Sequence, residues 1–208
     1  MPVVLFDRTQ LPFAPWKNGG GRTSEIARLP RGASMDAFDW RASIAEISAD
    51  GPFSAFVGVD RVLILLDGDG VRLRSSDGRV AHSLDEPLVP FMFSGDDAIT
   101  ASLIGGASSD FNVMTRRNAV RADVAVLRRD EMLGECSAGL VLALRGTWLA
   151  NATFPRAQTG TVQPVHSLTA NTGMWWDGEP LKWNLTTRDA EAALIAVRVW
   201  RTADQGES

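Results

Sequence analysis

Val62-Leu63-Ile64-Leu65-Leu66-Asp67-Gly68-Asp69-Gly70-Val71 is an apolar run, a turn built from aspartate and glycine, and the start of a second run. Five apolar residues are strand-sized, and Val71-Arg72-Leu73-Arg74 then alternates with the period of two expected for a half-buried strand. Asp67-Gly68 between two such runs predicts a hairpin. Leu140-Val141-Leu142-Ala143-Leu144-Arg145-Gly146-Thr147-Trp148-Leu149 repeats the same plan just under eighty residues further on. The pair hints at an internal duplication of a β-rich unit.

The same style extends in both directions. Trp40-Arg41-Ala42-Ser43-Ile44-Ala45-Glu46-Ile47 alternates, with Trp40, Ala42 and Ile44 on one face and Arg41, Ser43 and Ala45 on the other. Ser76-Asp77-Gly78-Arg79 reads as another turn. Leu88-Val89-Pro90-Phe91-Met92-Phe93 reads as a strand whose proline belongs on or near a sheet edge. Residues 124–127, 139–145, 146–152, 160–165 and 192–200 are further strand candidates. Only residues 188–196 tempt a helix reading, and they run into β-branched residues. Many short, evenly spaced strands predict an all-β sandwich or barrel of two similar halves packed as one body.

The 208 residues are 45% hydrophobic and 22% charged, ordinary for a globular protein with a real core. A formal net charge of −4 argues against nucleic-acid binding. Arg116, Arg117, Arg121, Arg128 and Arg129 cluster, but they read as solvated faces. No apolar run is long enough for a membrane helix, and the N-terminus lacks the basic start and apolar core of a signal peptide. One cysteine, Cys136, offers no internal disulfide and no zinc cluster, so the expected location is the cytoplasm.

Metal ligation and nucleophilic catalysis both lack their usual constellations. The two histidines, His82 and His166, are far apart, and neither has a second histidine close by. Cys136 has no histidine near it in sequence, and no nucleophile elbow or phosphate loop is present. The expectation is a protein without metal or cofactor.

The polar chemistry gathers elsewhere. Trp16-Lys17-Asn18-Gly19-Gly20-Gly21-Arg22-Thr23-Ser24-Glu25 sets three glycines between a cation and an amide on one side and a hydroxyl and a carboxylate on the other. Two readings stand: a flexible turn between strands, or the edge of a small-molecule site. Asp110-Phe111-Asn112-Val113-Met114-Thr115-Arg116 alternates, placing Asp110, Asn112, Met114 and Arg116 on one side. Asp60-Arg61 opens the most apolar strand, where an unpaired charge is expensive. These charges either pair with one another, Glu46 and Glu25 being available, or line a pocket for a small carboxylate held by an arginine fork.

Four linked motifs carry a resemblance: Trp16-Lys17-Asn18-Gly19-Gly20-Gly21-x-Thr23-x-Glu25, Asp39-Trp40-Arg41-x-Ser43-Ile44-Ala45, Gly51-Pro52-Phe53-Ser54-x-Phe56-x-Gly58-x-Asp60-Arg61 and Asp110-Phe111-Asn112-Val113-Met114-x-Arg116. In order and spacing they resemble the HutD/Ves family of bacterial proteins associated with histidine utilisation. The resemblance implies a bicupin, two double-stranded β-helix barrel halves, here residues 1–120 with the pocket motifs and 121–208, with strands open to exchange between them. It implies a metal-independent binder that senses or buffers urocanate or a formylglutamate-like acid. Arg61 is the position matching the ligand-binding arginine, and Lys17, Asn18, Thr23, Glu25, Arg41, Ser43 and Asn112 match the motifs around it. The alternative is an isomerase or hydrolase acting on a small acid, with Glu25 or Glu46 as general base. A homodimer is a further expectation.

Overall fold

The computed structural model describes residues 3–153 and 164–202. The chain forms β1 (Val3–Asp7), a single 3-10 turn (Arg8–Gln10), β2 (Phe13–Pro15), β3 (Gly21–Leu29), β4 (Trp40–Ile47), β5 (Gly51–Pro52), β6 (Val59–Gly68), β7 (Val71–Ser75), β8 (Ala81–Leu84), β9 (Pro90–Ser94), β10 (Ile99–Leu103) and β11 (Ser108–Arg116). There follow β12 (Val120–Leu127), β13 (Glu131–Arg145), β14 (Trp148–Thr153), β15 (Val165–Leu168), β16 (Thr172–Thr187) and β17 (Ala193–Arg201). No α-helix occurs among the described residues, and hence none long and apolar enough to cross a membrane. The helix-tempting stretch 188–196 instead leads into β17, whose Leu194, Ile195, Val197 and Val199 are fully or almost fully buried. β-branched side chains suit that pleated, two-sided burial better than a helix. Of the strand candidate at 160–165, residues 160–163 lie outside the described residues, and Val165 begins β15.

The chain divides into two compact units, Leu11–Val120 and a second made of Met1–Gln10 with Arg121–Ser208. In the first, a six-stranded sheet of order β2-β3-β4-β11-β6-β9 and a four-stranded sheet of order β5-β10-β7-β8 share one core. Leu63, Leu65, Phe93 and Ile47 from the larger sheet meet Val71, Leu73, Leu84, Ile99 and Ala101 from around the smaller one. Pro90 starts β9, which pairs only with β6 and so forms the sheet edge anticipated from its proline.

The turn at Asp67-Gly68 is not a hairpin. β6 pairs with β9 and β11, whereas β7 pairs with β8 and β10, so the chain crosses from one sheet to the other there. Asp-Gly chemistry specifies a tight turn without specifying which strand lies alongside the next. The glycine is needed for a different reason. Gly68 has φ +91°, and a Cβ on it would sit 2.2 Å from the Ala107 carbonyl oxygen. Ser76-Asp77-Gly78-Arg79, by contrast, joins the directly paired β7 and β8.

In the second unit seven strands form one sheet, β12-β17-β13-β16-β14-β15, with β1 added alongside β16. The N-terminal strand is thus built into the unit formed by the end of the chain. The Gly146 turn again separates its strands, because β16 lies between β13 and β14. The core of this unit is rich in tryptophan: Trp148, Trp176 and Trp183 are all fully buried with Val141, Met174 and Leu185.

Candidate functional site

Register places the polar residues before any side chain is considered. Met114 on β11 lies opposite Arg41 on β4 and Arg61 on β6, Asn112 opposite Ser43 and Leu63, and Asp110 opposite Ala45 and Leu65. β3 extends two of these rows, with Glu25 opposite Ser43 and Thr23 opposite Ala45. Residues directly opposite in antiparallel strands share a face, so these rows form one patterned surface. They look into a cavity of about 540 Å³. Of the sequence-expected residues, Lys17, Asn18, Thr23, Arg41, Arg61 and Asn112 line it.

The two arginines are treated very differently. Arg41 Nε donates to Glu25 Oε2 at 2.7 Å, and its Nη1 donates to Ser43 Oγ at 3.1 Å and approaches Met114 Sδ at 3.7 Å. Glu25 also meets Arg28 Nε through Oε1 at 3.2 Å. Glu25 and Ser43 are therefore occupied in holding Arg41 and are not among the cavity-lining residues. Arg61 is 6% exposed and pairs with no carboxylate among the described residues. Its Nη1 reaches the Ser54 carbonyl at 3.4 Å, and its Nε has no partner. Instead the guanidinium carbon lies 5.1 Å from the ring centre of Phe93, 5.2 Å from Phe53 and 5.8 Å from Phe56. Aromatic faces attract a cation but leave its hydrogen-bond donors unused. Burial, reinforced by the charge of Arg41, lowers the Arg61 pKa to about 10, which still leaves it a cation at neutral pH.

Two more polar side chains in the cavity are incompletely satisfied. Asp110 is fully buried, and its Oδ1 accepts from Ser108 Oγ at 2.9 Å while Oδ2 has no partner. Burial raises its pKa to about 6, against the opposing effect of the Ser108 hydrogen bond. Asn112 is 5% exposed, and its Oδ1 is likewise without a partner.

The glycine run proves to be a turn and a cavity edge together. Trp16 N donates to Gly21 O at 2.9 Å and Gly19 N to Trp16 O at 3.0 Å, closing the connection from β2 to β3. Gly19 has φ +71°. Trp16 Nε1 donates to Thr23 Oγ1 at 2.7 Å and the indole meets Phe53 edge-on, which fixes a wall of the cavity. Lys17 and Asn18 stand exposed at its rim, where Asn18 Oδ1 accepts from Gly20 N at 3.1 Å.

Of the expected alternative ion pairs, Asp60 makes one, with Arg117, whereas Arg61 pairs with neither Glu46 nor Glu25. Asp60 accepts from Arg117 at 2.6 Å, and Glu46 bridges Arg22 at the exposed surface. Glu46 thus sits on the opposite strand face from Arg41 and Ser43, and Glu25 is held by arginines, so neither presents a free carboxylate to the cavity. Asp110, Met114, Phe53 and Leu63 also line the cavity, with no role assigned to them by the sequence motifs. Three of the four sit in the motifs quoted above, and register with Asn112 would have found the fourth, Leu63. Among the described residues no group of three or more His, Cys, Asp or Glu side chains could hold a metal ion.

Residues 8–195 match the HutD family profile. The chain is 39% identical to Protein Ves of Cronobacter sakazakii over 175 residues, 84% of this chain and 87% of that protein. The crystal structure of a conserved protein of unknown function from Pseudomonas aeruginosa PAO1 superposes with a TM-score of 0.82 at 30% identity, covering 96% of this chain and all of that one. HutD from Pseudomonas fluorescens SBW25, solved in a formate condition, gives 0.78 at 26% identity over 96% and 99%. At the level of fold alone, protein Ylba from E. coli (TM-score 0.68, 8% identity, 95% of this chain and 90% of that one) and Lactobacillus farciminis oxalate decarboxylase in its formate complex (0.64, 6%, 96% and 88%) are similar. The fold is the all-β bicupin.

Proposed function

From the premise that this chain belongs to the HutD family, we propose that its cavity binds a small carboxylic acid of histidine degradation, urocanate or a formylglutamate-like acid, as a sensor or buffer that modulates histidine utilisation. Arg61 carries the reading. A cation buried among three aromatic rings, with a free Nε and no carboxylate partner among the described residues, is a costly arrangement for structure alone. A ligand carboxylate in the cavity supplies the missing counter-charge and accepts the free donor in a charge-assisted hydrogen bond. Lys17 at the rim adds attraction for an incoming anion, and Arg41, already neutralised by Glu25, supports one side of the pocket. Phe53, Phe56 and Trp16 offer apolar surface to a ring or alkyl chain.

Calorimetric titration with urocanate, N-formyl-L-glutamate, formate and histidine tests this, with each mixture checked afterwards for conversion. Saturable binding without product, lost in Arg61→Ala, is the expected result; affinity unchanged in that variant removes the proposed clamp. A second reading, an isomerase or hydrolase acting on a small acid, is favoured by Asp110, a buried carboxyl whose pKa of about 6 suits proton transfer near neutrality. Product formation that is abolished in Asp110→Asn while binding persists would establish it.

A further inference from the structure

Resting on the carboxylate reading of Arg61, we propose that Asn112 and Asp110 form a second subsite that accepts a hydrogen bond from a nitrogen of the ligand, so that the protein selects acids carrying an N–H group. Both side chains line the cavity, both are more than nine-tenths buried, and each holds one oxygen that meets no hydrogen-bond donor. Buried acceptors left without a donor cost free energy, and native proteins rarely leave two side by side. They stand two residues apart on the same face of β11, and the Ser108 hydrogen bond already occupies the other Asp110 oxygen. The free oxygens are thus the remaining acceptors of a preorganised pair.

Their placement relative to Arg61 sets the ligand's length. The Asn112 row is one step from the Met114 row, where Arg61 lies, and the Asp110 row is one step beyond. Each step is two residues, roughly 7 Å along a strand. A carboxylate at Arg61 and an N–H at Asn112 are therefore separated by about the length of a short chain or a ring plus two carbons. Arg61 offers donors at one end and Asn112 with Asp110 acceptors at the other, so the cavity is polarised along β11. A molecule with acceptors at both ends, such as a simple dicarboxylate, satisfies the first end and leaves the second unmet.

The experiment compares acids that differ only in that donor, on the intact protein. Urocanate is set against 3-(oxazol-5-yl)acrylate, in which the imidazole N–H is replaced by a ring oxygen and the other ring nitrogen is kept, and N-formyl-L-glutamate against 2-formyloxyglutarate. For whichever N–H acid binds, its partner lacking the donor is expected to bind roughly tenfold more weakly or worse. Asn112→Leu is expected to shrink that ratio toward one while Arg61-dependent binding of the donor-free acid persists. The wild-type comparison requires no variant to fold. Equal affinities within both pairs, with binding still dependent on Arg61, overturn the second subsite and leave the carboxylate clamp in place. No binding by any of the four acids overturns both.

Discussion

Arg41 and Arg61 lie opposite the same residue, Met114, on the two strands that flank β11, and among the described residues only Arg41 pairs with a carboxylate. Two adjacent strand spacings of about 4.8 Å separate their backbones, close enough for the charge of Arg41 to disfavour that of Arg61. Glu25 relieves Arg41 from the β3 side. Nothing comparable reaches Arg61, which is walled by Phe53, Phe56 and Phe93. The asymmetry separates a structural arginine from a functional one and governs what substitutions at each should do.

Replacing Arg61 should uncouple stability from binding. Arg61→Met keeps most of the side-chain volume and removes an unpaired buried charge, so the folded state should be within about 1 kcal/mol of wild type or more stable. Ligand affinity should fall by roughly 2–5 kcal/mol, the range for removing one partner of a buried charge pair. Urea denaturation and calorimetry on the same variant check both. A loss of stability beyond about 2 kcal/mol would mean that Arg61 is satisfied in the unliganded protein.

Glu25→Gln should act in the opposite sense. The change leaves Arg41 and Arg28 without their shared acid, so stability should drop by about 1 kcal/mol, with the partly exposed position limiting the effect. Affinity should fall less than in Arg61→Met, because Glu25 works through Arg41. If Glu25→Gln abolished binding while stability held, Glu25 would belong to the ligand's own contacts.

Much of this site was legible from alternation. The alternation from Trp40 to Ile47 and from Asp110 to Arg116 sets Arg41, Ala45, Asp110, Asn112 and Met114, all of which line the cavity, on shared strand faces, because a period of two survives whatever the neighbouring strand is; Ser43 and Arg116 share those faces without lining it. Pairing partners were not legible. Asp67-Gly68 announces a turn, but β7 does not join β6 because both edges of β6 are taken by β9 and β11, which come later in the chain. The roles of Glu25 and Ser43 were hidden for a related reason. A carboxylate beside an arginine motif looks the same whether it faces a ligand or the arginine, and only the register between β3 and β4 decides.

Asp110 should make stability fall as pH rises. Its folded-state carboxyl is raised from the ordinary 3.8 to about 6, so the folded protein holds the proton more tightly than the unfolded chain does. That contribution is fully present below about pH 4, declines as pH rises, and is lost once pH has passed about 6. Its size is about 3 kcal/mol, from 1.36 kcal/mol for each tenfold step in proton affinity. Asp110→Asn does not titrate. The difference in unfolding free energy between variant and wild type should therefore move by about that amount in the variant's favour between pH 4 and pH 7. Curves that stay parallel across this range would place the Asp110 carboxyl in a solvated environment.

The three adjacent glycines should respond differently to alanine, because each meets a different constraint. Gly20 has only ordinary contacts around its missing Cβ, the nearest being Asn18 Oδ1 at 3.5 Å, so Gly20→Ala should change stability by no more than about 0.5 kcal/mol. Gly19 has open space but φ +71°, so Gly19→Ala should cost about 1 kcal/mol through backbone strain. At Gly21 a Cβ would lie 2.3 Å from the Glu46 carbonyl oxygen and 3.1 Å from the Trp16 ring. Relief requires moving the β4 backbone away, and the indole that walls the cavity must give as well. Gly21→Ala should therefore cost about 2–3 kcal/mol and weaken ligand binding, with Trp16 fluorescence shifted as its hydrogen bond to Thr23 is strained. Equal effects at all three positions would mean that the run serves only as a flexible linker, with no close approach to the strand behind it.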